Sequence, residues 1–146
     1  MLLLKLIDRI PFFANFSTEH KQVLAESDTF FTHFDKGAFL IREGSIDPVL
    51  LIIVRGSAIV TKNDHPDQPL ATLPAGAVVG EIAFLTNRVR TSNVVAAEKT
   101  TCFAIDRASL EEMELAIQLK FKDELIESLI KHLDTANQAL AKARAG

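Results

Sequence analysis

A chain of 146 residues, 48% hydrophobic and 24% charged, is long enough for one domain with a real core and leaves little room for a second. The composition is that of a globular protein. A formal charge of −3 argues against non-specific nucleic-acid binding, which needs a basic face to displace phosphate counterions.

The opening Met-Leu-Leu-Leu-Lys-Leu-Ile-Asp is too short and too soon interrupted for a secretory signal, and no segment approaches the ~18 apolar residues of a membrane span. No membrane association is expected, and the cytoplasm is the expected location. Leu3, Leu6 and Ile10 recur at helical spacing until Pro11 stops the helix. Ser17 or Thr18 can cap a second helix carrying Val23 and Leu24, with Phe12, Phe13 and Phe16 wedged in the joint.

From Asp28 to Asp106 short strands alternate with turn residues. Phe30 to Phe34 comes first, then Ala38 to Ile41, Val49 to Val54, Ser57 to Thr61, Leu70 to Leu73, Asn93 to Ala97 and Thr101 to Ile105. Gly, Asp or Pro separates most of them, the pattern of an antiparallel sandwich or roll. Cys102, alone in the chain, can form no intrachain disulfide and lies in an apolar strand, where it reads as a buried small hydrophobe.

After Asp106, a plausible cap, the chain turns helical. A longer helix runs from about Leu119 to Leu140, with Ile126, Leu129, Leu133, Ala136 and Leu140 stepping by three and four. That seam is open to two uses, packing on its own roll or contact with a second copy in a homodimer.

The most informative stretch is Val79-Gly80-Glu81-Ile82-Ala83-Phe84-Leu85, a polar turn, then Arg90-Thr91. A glycine turn into a one-turn helix aims unpaired backbone N–H groups outward, which favours an anion. Arg90, returning on the next strand, can close over that anion with its planar fork. Glu81 would repel an anion unless it accepts hydrogen bonds from a ligand hydroxyl or from Arg90. A ligand carrying both a phosphate and a neighbouring hydroxyl satisfies both residues.

This stretch resembles the phosphate-binding cassette of the cyclic-nucleotide-binding family, whose pattern is Gly-Glu-Leu-Ala-Leu, a variable turn, then Arg with Ala, Ser or Thr. Glycines 37, 44, 56, 76 and 80 fall in the family's order, and Leu51 to Val60 resembles the corresponding hairpin of the bacterial catabolite activator. The resemblance implies an antiparallel β-roll (jelly-roll-like, a double-stranded β-helix) with N-terminal helices over 1–27, the roll over 28–106 with its cassette at 79–93, and C-terminal helices over 107–146, all one domain.

The resemblance also implies the ligand, cyclic AMP first and cyclic GMP as the alternative. Arg90 pairs with the cyclic phosphate, helped by backbone N–H groups near Ile82 and Ala83 and by Thr91. Glu81 accepts from the ribose 2′-hydroxyl, and Gly80 lets the backbone approach the sugar. Val60, Leu70, Ala71 and Val79 fall where the family lines the base and ribose. The family caps the purine from its final helix, which points no further here than the region Leu125 to Leu133. Thr91 leaves the choice of base open.

No catalytic residue and no metal site is expected. A cupin enzyme needs a His-x-His pair, and His20, His33, His65 and His132 are scattered. His33, among phenylalanines, reads as partly buried; Arg88 reads as a solvated charge. The sequence ends at Gly146 without room for a helix-turn-helix. The expectation is therefore a stand-alone sensor module acting through its final helix on an unidentified protein partner. The alternatives are a degenerate family member serving as an interaction domain, or the N-terminal piece of a transcription regulator of the catabolite-activator type.

Overall fold

The computed structural model describes residues 2–145; residues 1 and 146, the two ends of the expected domain, lie outside it. Two helices lead, α1 (Leu2–Asp8) and α2 (Thr18–Glu26), joined by a 3₁₀ turn at Pro11–Phe13. Proline is suited to that turn because its φ is preset and its missing N–H goes unneeded. Ser17 caps α2, accepting from the His20 N–H at 3.1 Å.

Eight strands follow: β1 (Phe31–Phe34), β2 (Phe39–Ile41), β3 (Val49–Arg55), β4 (Ser57–Thr61), β5 (Ala71–Pro74), β6 (Val78–Val79), β7 (Asn93–Ala96) and β8 (Thr100–Asp106). They form two antiparallel four-stranded sheets, in the orders β1-β8-β3-β6 and β2-β7-β4-β5. A short helix, α3 (Glu81–Thr86), interrupts the roll between β6 and β7. The chain closes with α4 (Arg107–Glu111) and α5 (Leu115–Ala145). Asp106 caps α4 by accepting from the Ser109 N–H at 2.8 Å, and that bond holds its carboxyl below the usual carboxylate range.

The fold class is the expected one: an antiparallel β-roll with flanking helices and a long C-terminal helix. Strand β3 divides the interior, because successive side chains on a strand point to opposite faces. Leu50, Ile52 and Val54 join a helix-side core with Phe12, Phe13, Phe16, Phe103 and Phe121. Leu51 and Ile53 join a second core inside the roll with Ile41, Ala58, Val79, Val94 and Cys102. Burial pushes the Cys102 thiol up to about 12, so it stays protonated as packing.

Three expectations need correction. His33 is exposed on edge strand β1, where Phe31 and Phe34 take the inward positions, and its Nδ1 bonds Thr101 Oγ1 at 2.9 Å. The last helix begins four residues earlier than expected, because Ile117, Phe121 and Leu125 anchor its first half in the helix-side core. Its second half stands largely off the body of the domain: every residue from Lys131 to Ala145 is exposed, though His132 still reaches Glu81 with a hydrogen bond. The apolar stripe along the helix also differs from the expected seam. Leu129 is half-buried, and the exposed large apolar positions are Leu115, Leu119, Ile126, Ile130, Leu133 and Leu140.

No helix of the described residues is long and apolar enough to cross a membrane. Among those residues, no cluster of three or more His, Cys, Asp or Glu side chains is placed to hold a metal ion.

Candidate functional site

Gly80 starts the site. Its φ of +85° is a left-handed conformation that L side chains rarely adopt, and a Cβ there would collide with the Arg90 guanidinium. It serves as N-cap of α3, whose leading N–H groups have no partner within the helix. Asn87, also left-handed at φ 59°, ends α3 by donating its N–H to the Ala83 carbonyl at 2.9 Å. Arg107 of α4 donates to the Phe84 carbonyl and ties the same short helix to the body of the domain.

The chain then returns through Arg88 to Ser92 into β7. The backbone of Arg90 is held on both sides by the β2–β3 loop: its N–H donates to Ser45 O and its carbonyl accepts from the Gly44 N–H, both at 2.9 Å. The side chain turns inward and is 3% exposed. Nη1 donates to the Gly80 carbonyl at 3.1 Å; Nη2 donates to the Val49 carbonyl at 2.5 Å and to Asp47 Oδ1 at 2.8 Å. Nε is buried without a partner. Partial burial alone would raise the Asp47 carboxyl. The bond and charge from Arg90, with help from Ser45 and the Val49 N–H, outweigh it and hold the carboxyl below its ordinary value.

Glu81 is buried on the first turn of α3. Its Oε1 bonds Nδ1 of His132, on the far helix α5, at 2.8 Å, while Oε2 is buried with no partner. Burial is the largest influence and pushes this carboxyl above its usual range. The charge and hydrogen bond of His132 pull it back in part, and its own N–H and Arg90 pull less.

Glu81 and Arg90 border a cavity of about 340 Å³. Its apolar lining comes from Ile41, Val79 and Val94, members of the roll-interior core, and its polar side from Gly80 to Ala83 and Arg88 to Ser92. A larger hollow of about 490 Å³ lies between Pro11 and the first half of α5, but its charged side chains are all in contact with solvent. The smaller cavity is the one with buried, under-satisfied polar groups.

The structure brings Val79, Gly80, Glu81, Ile82, Ala83, Arg90 and Thr91 to this one cavity. It does not bring Val60, Leu70 or Ala71 to its lining. Val60 lies on β4 as the register partner of Val94, while Ala71 opens β5 and Leu70 just before it is 62% exposed. Glu81 and Arg90, expected as alternative partners, are not hydrogen-bonded to each other; each is held by a different element. Arg88 is exposed, as expected, yet it lines the rim.

Sequence reasoning missed Asp47 and His132. Asp47-Pro48 carries only a turn signal, and nothing in the chain links it to a residue 43 positions away. His132 falls inside the helical region where a capping residue was expected, without a motif to single it out.

The sequence pattern of the cyclic nucleotide-binding domain matches residues 31–115, more than half of the chain and the whole of the cavity lining. The chain belongs to that family. Among curated proteins it is 34% identical to human cGMP-dependent protein kinase 2 over 84 residues, 55% of this chain and 11% of the kinase. It therefore spans about a tenth of the length of the curated relatives it matches.

Among solved structures, a cyclic nucleotide-binding domain from Methylobacillus flagellatus superposes with a TM-score of 0.68 at 25% identity, covering 97% of this chain and 79% of that one. The catabolite activator protein of Thermus thermophilus shares the fold, with a TM-score of 0.72 at 20% identity over 92% of this chain and 63% of its own. Within the matched span, Glu81 and Arg90 both lie on the lining of this cavity.

Proposed function

We propose that the cavity binds a cyclic purine nucleotide, cyclic AMP or else cyclic GMP, and performs no chemistry on it. One observation supports this above the others: a buried donor, Arg90 Nε, and a buried acceptor, Glu81 Oε2, lack partners at a single cavity. Buried polar groups in folded proteins are almost always satisfied. A cyclic phosphate accepts from the first, helped by the leading N–H groups at Ile82 and Ala83 and by Thr91, and the adjoining ribose hydroxyl donates to the second. Gly80 lets the sugar approach, and Val79 with Ile41 and Val94 meets its apolar face. Val60, Leu70 and Ala71 are the next apolar side chains toward which a base extends.

The protein then acts as a regulatory module in the cytoplasm. The ligand binds one arrangement of α5 more tightly than another, shifts that population, and changes the surface a partner protein meets. The exposed apolar stripe along α5 fits a second copy of the chain. Leu119, Ile126, Leu133 and Leu140 are seven residues apart and each is more than half exposed. Ile130 and Asn137 fall at the alternate core position, where a polar Asn specifies register. Lys122 and Glu127 flank the stripe with opposite charges, as a parallel pair requires.

Calorimetric titration with cyclic AMP and cyclic GMP tests the site. At least one binds with a Kd on the order of micromolar, about −8 kcal/mol. Arg90→Ala weakens it by about a hundredfold or more, as does Arg90→Lys, which keeps the charge and loses the planar fork. Unchanged affinity in both variants removes Arg90 from the site. Sedimentation equilibrium tests the stripe: the wild-type chain is a dimer and Leu133→Lys a monomer, and a monomeric wild type ends that part of the proposal.

A further inference from the structure

The family's cassette does not account for His132. It lies 51 residues from Glu81 in sequence, on the first wholly exposed turn of α5, yet its Nδ1 bonds the buried carboxylate at 2.8 Å. Its own side chain is 56% exposed, so burial of the imidazole does not explain its position. The bond is also asymmetric. It engages Oε1 alone and leaves Oε2, which is buried, without a partner.

We infer that His132 is a positioning residue for ligand binding: it holds Glu81 by one oxygen, so that the other is presented, ionised, to the ligand hydroxyl. The inference rests on the reading of the cavity given above. Glu81 needs such help. Buried beside Phe84 and Ala83 on α3, a carboxyl favours its protonated form, and a protonated carboxyl is a poorer acceptor. Two groups oppose that tendency, His132 from α5 and Arg90 from the turn before β7, and His132 has the larger effect.

The other charged groups nearby are committed elsewhere or lie off the carboxylate. Arg107 of α4 is spent on the Phe84 carbonyl, and Asp47 of the β2–β3 loop on Arg90. Arg88 stands at the cavity rim, while Glu124, Glu127 and Lys131 share with His132 a separate hollow against Gly76 to Val78. One carboxylate thus joins the ligand to α5. By linkage, a ligand that prefers Glu81 held and ionised also favours the arrangement of α5 that supplies His132.

The test compares wild type, His132→Ala and His132→Arg, with cyclic AMP, cyclic GMP and their 2′-deoxy analogues as probes, from about pH 5.5 to about pH 8. Removing His132 moves the Glu81 titration upward. His132→Ala therefore weakens the ribonucleotide about tenfold near pH 6 and less near pH 8. His132→Arg, which supplies a donor cationic at every pH tested, restores ribonucleotide affinity near pH 6. The 2′-deoxy analogue, with no hydroxyl for Glu81, is indifferent to the substitution. A purely structural role would shift every ligand at every pH alike.

The ligand-free protein supplies an independent readout. The ¹³C titration of the Glu81 carboxyl moves to higher pH in His132→Ala, and an unmoved titration overturns the inference whatever the ligand results. Binding by wild type with the same pH profile in His132→Ala overturns it and leaves the cavity reading standing. Absence of binding by every form, with the carboxyl titration still shifted, overturns the cavity reading and the ligand role of His132 together.

Discussion

The two faces of β3 bury nearly the same chemistry to different ends. On the helix side, Leu50, Ile52 and Val54 meet a lattice of phenylalanines centred on Phe103, whose ring lies 5.4 Å from Phe13, 5.4 Å from Phe30, 5.7 Å from Phe31 and 6.1 Å from Phe121. On the roll side, Leu51 and Ile53 meet only small aliphatics and Cys102 among the buried members. Rings fill space and lock α1, α2 and α5 to the sheet; short side chains under a curved sheet leave room. The site floor is therefore the face on which the core is lighter, and its residues Ile41, Val79 and Val94 serve packing and lining at once.

Substitution on each side should separate these roles. Phe103→Ala should cost about 3–5 kcal/mol in chemical denaturation, because a large ring leaves a hole its neighbours cannot close. Ile41→Val, on the cavity side, should cost about 0.5–1.5 kcal/mol and change ligand affinity. Equal costs on the two sides would break the comparison.

The smallest effect concerns the polar edge of the lighter side. A carboxyl held below its ordinary value stabilises the fold above that value and loses its contribution as pH falls through the lowered one. Asp47 starts from an ordinary value of 3.8 and is 46% exposed, so solvent screening limits the gain to less than about 1 kcal/mol. Wild type should exceed Asp47→Asn in stability at neutral pH and lose that margin on acidification below about pH 4, measured by urea titration. A margin unchanged down to pH 2 would show that the Arg90–Asp47 pair contributes nothing.

How much of this the chain discloses by itself follows from the reach of each interaction. Strand boundaries were legible from Gly37, Gly56 and Gly76, all of which adopt positive φ. The two-sided burial of β3 was not, because a strand covered on both faces reads as an unbroken apolar run. Gly80, Glu81 and Arg90 could be singled out together because they fall within eleven residues. Asp47 and His132 were not, since only the closed roll and the docked helix bring them near residues 90 and 81. The two halves of α5 share one amphipathic pattern, so periodicity could not tell which half packs and which stands free.

That free half has a mechanical meaning. With 13 residues beyond His132 and ~1.5 Å of rise for each, the arm past that contact is about 20 Å long. Tilting it by about 15° at its held end carries the tip through about 5 Å, the length of a full helical turn. A rotation of α5 too small to disturb the sheets is thereby amplified at residue 145 by the length of the lever alone.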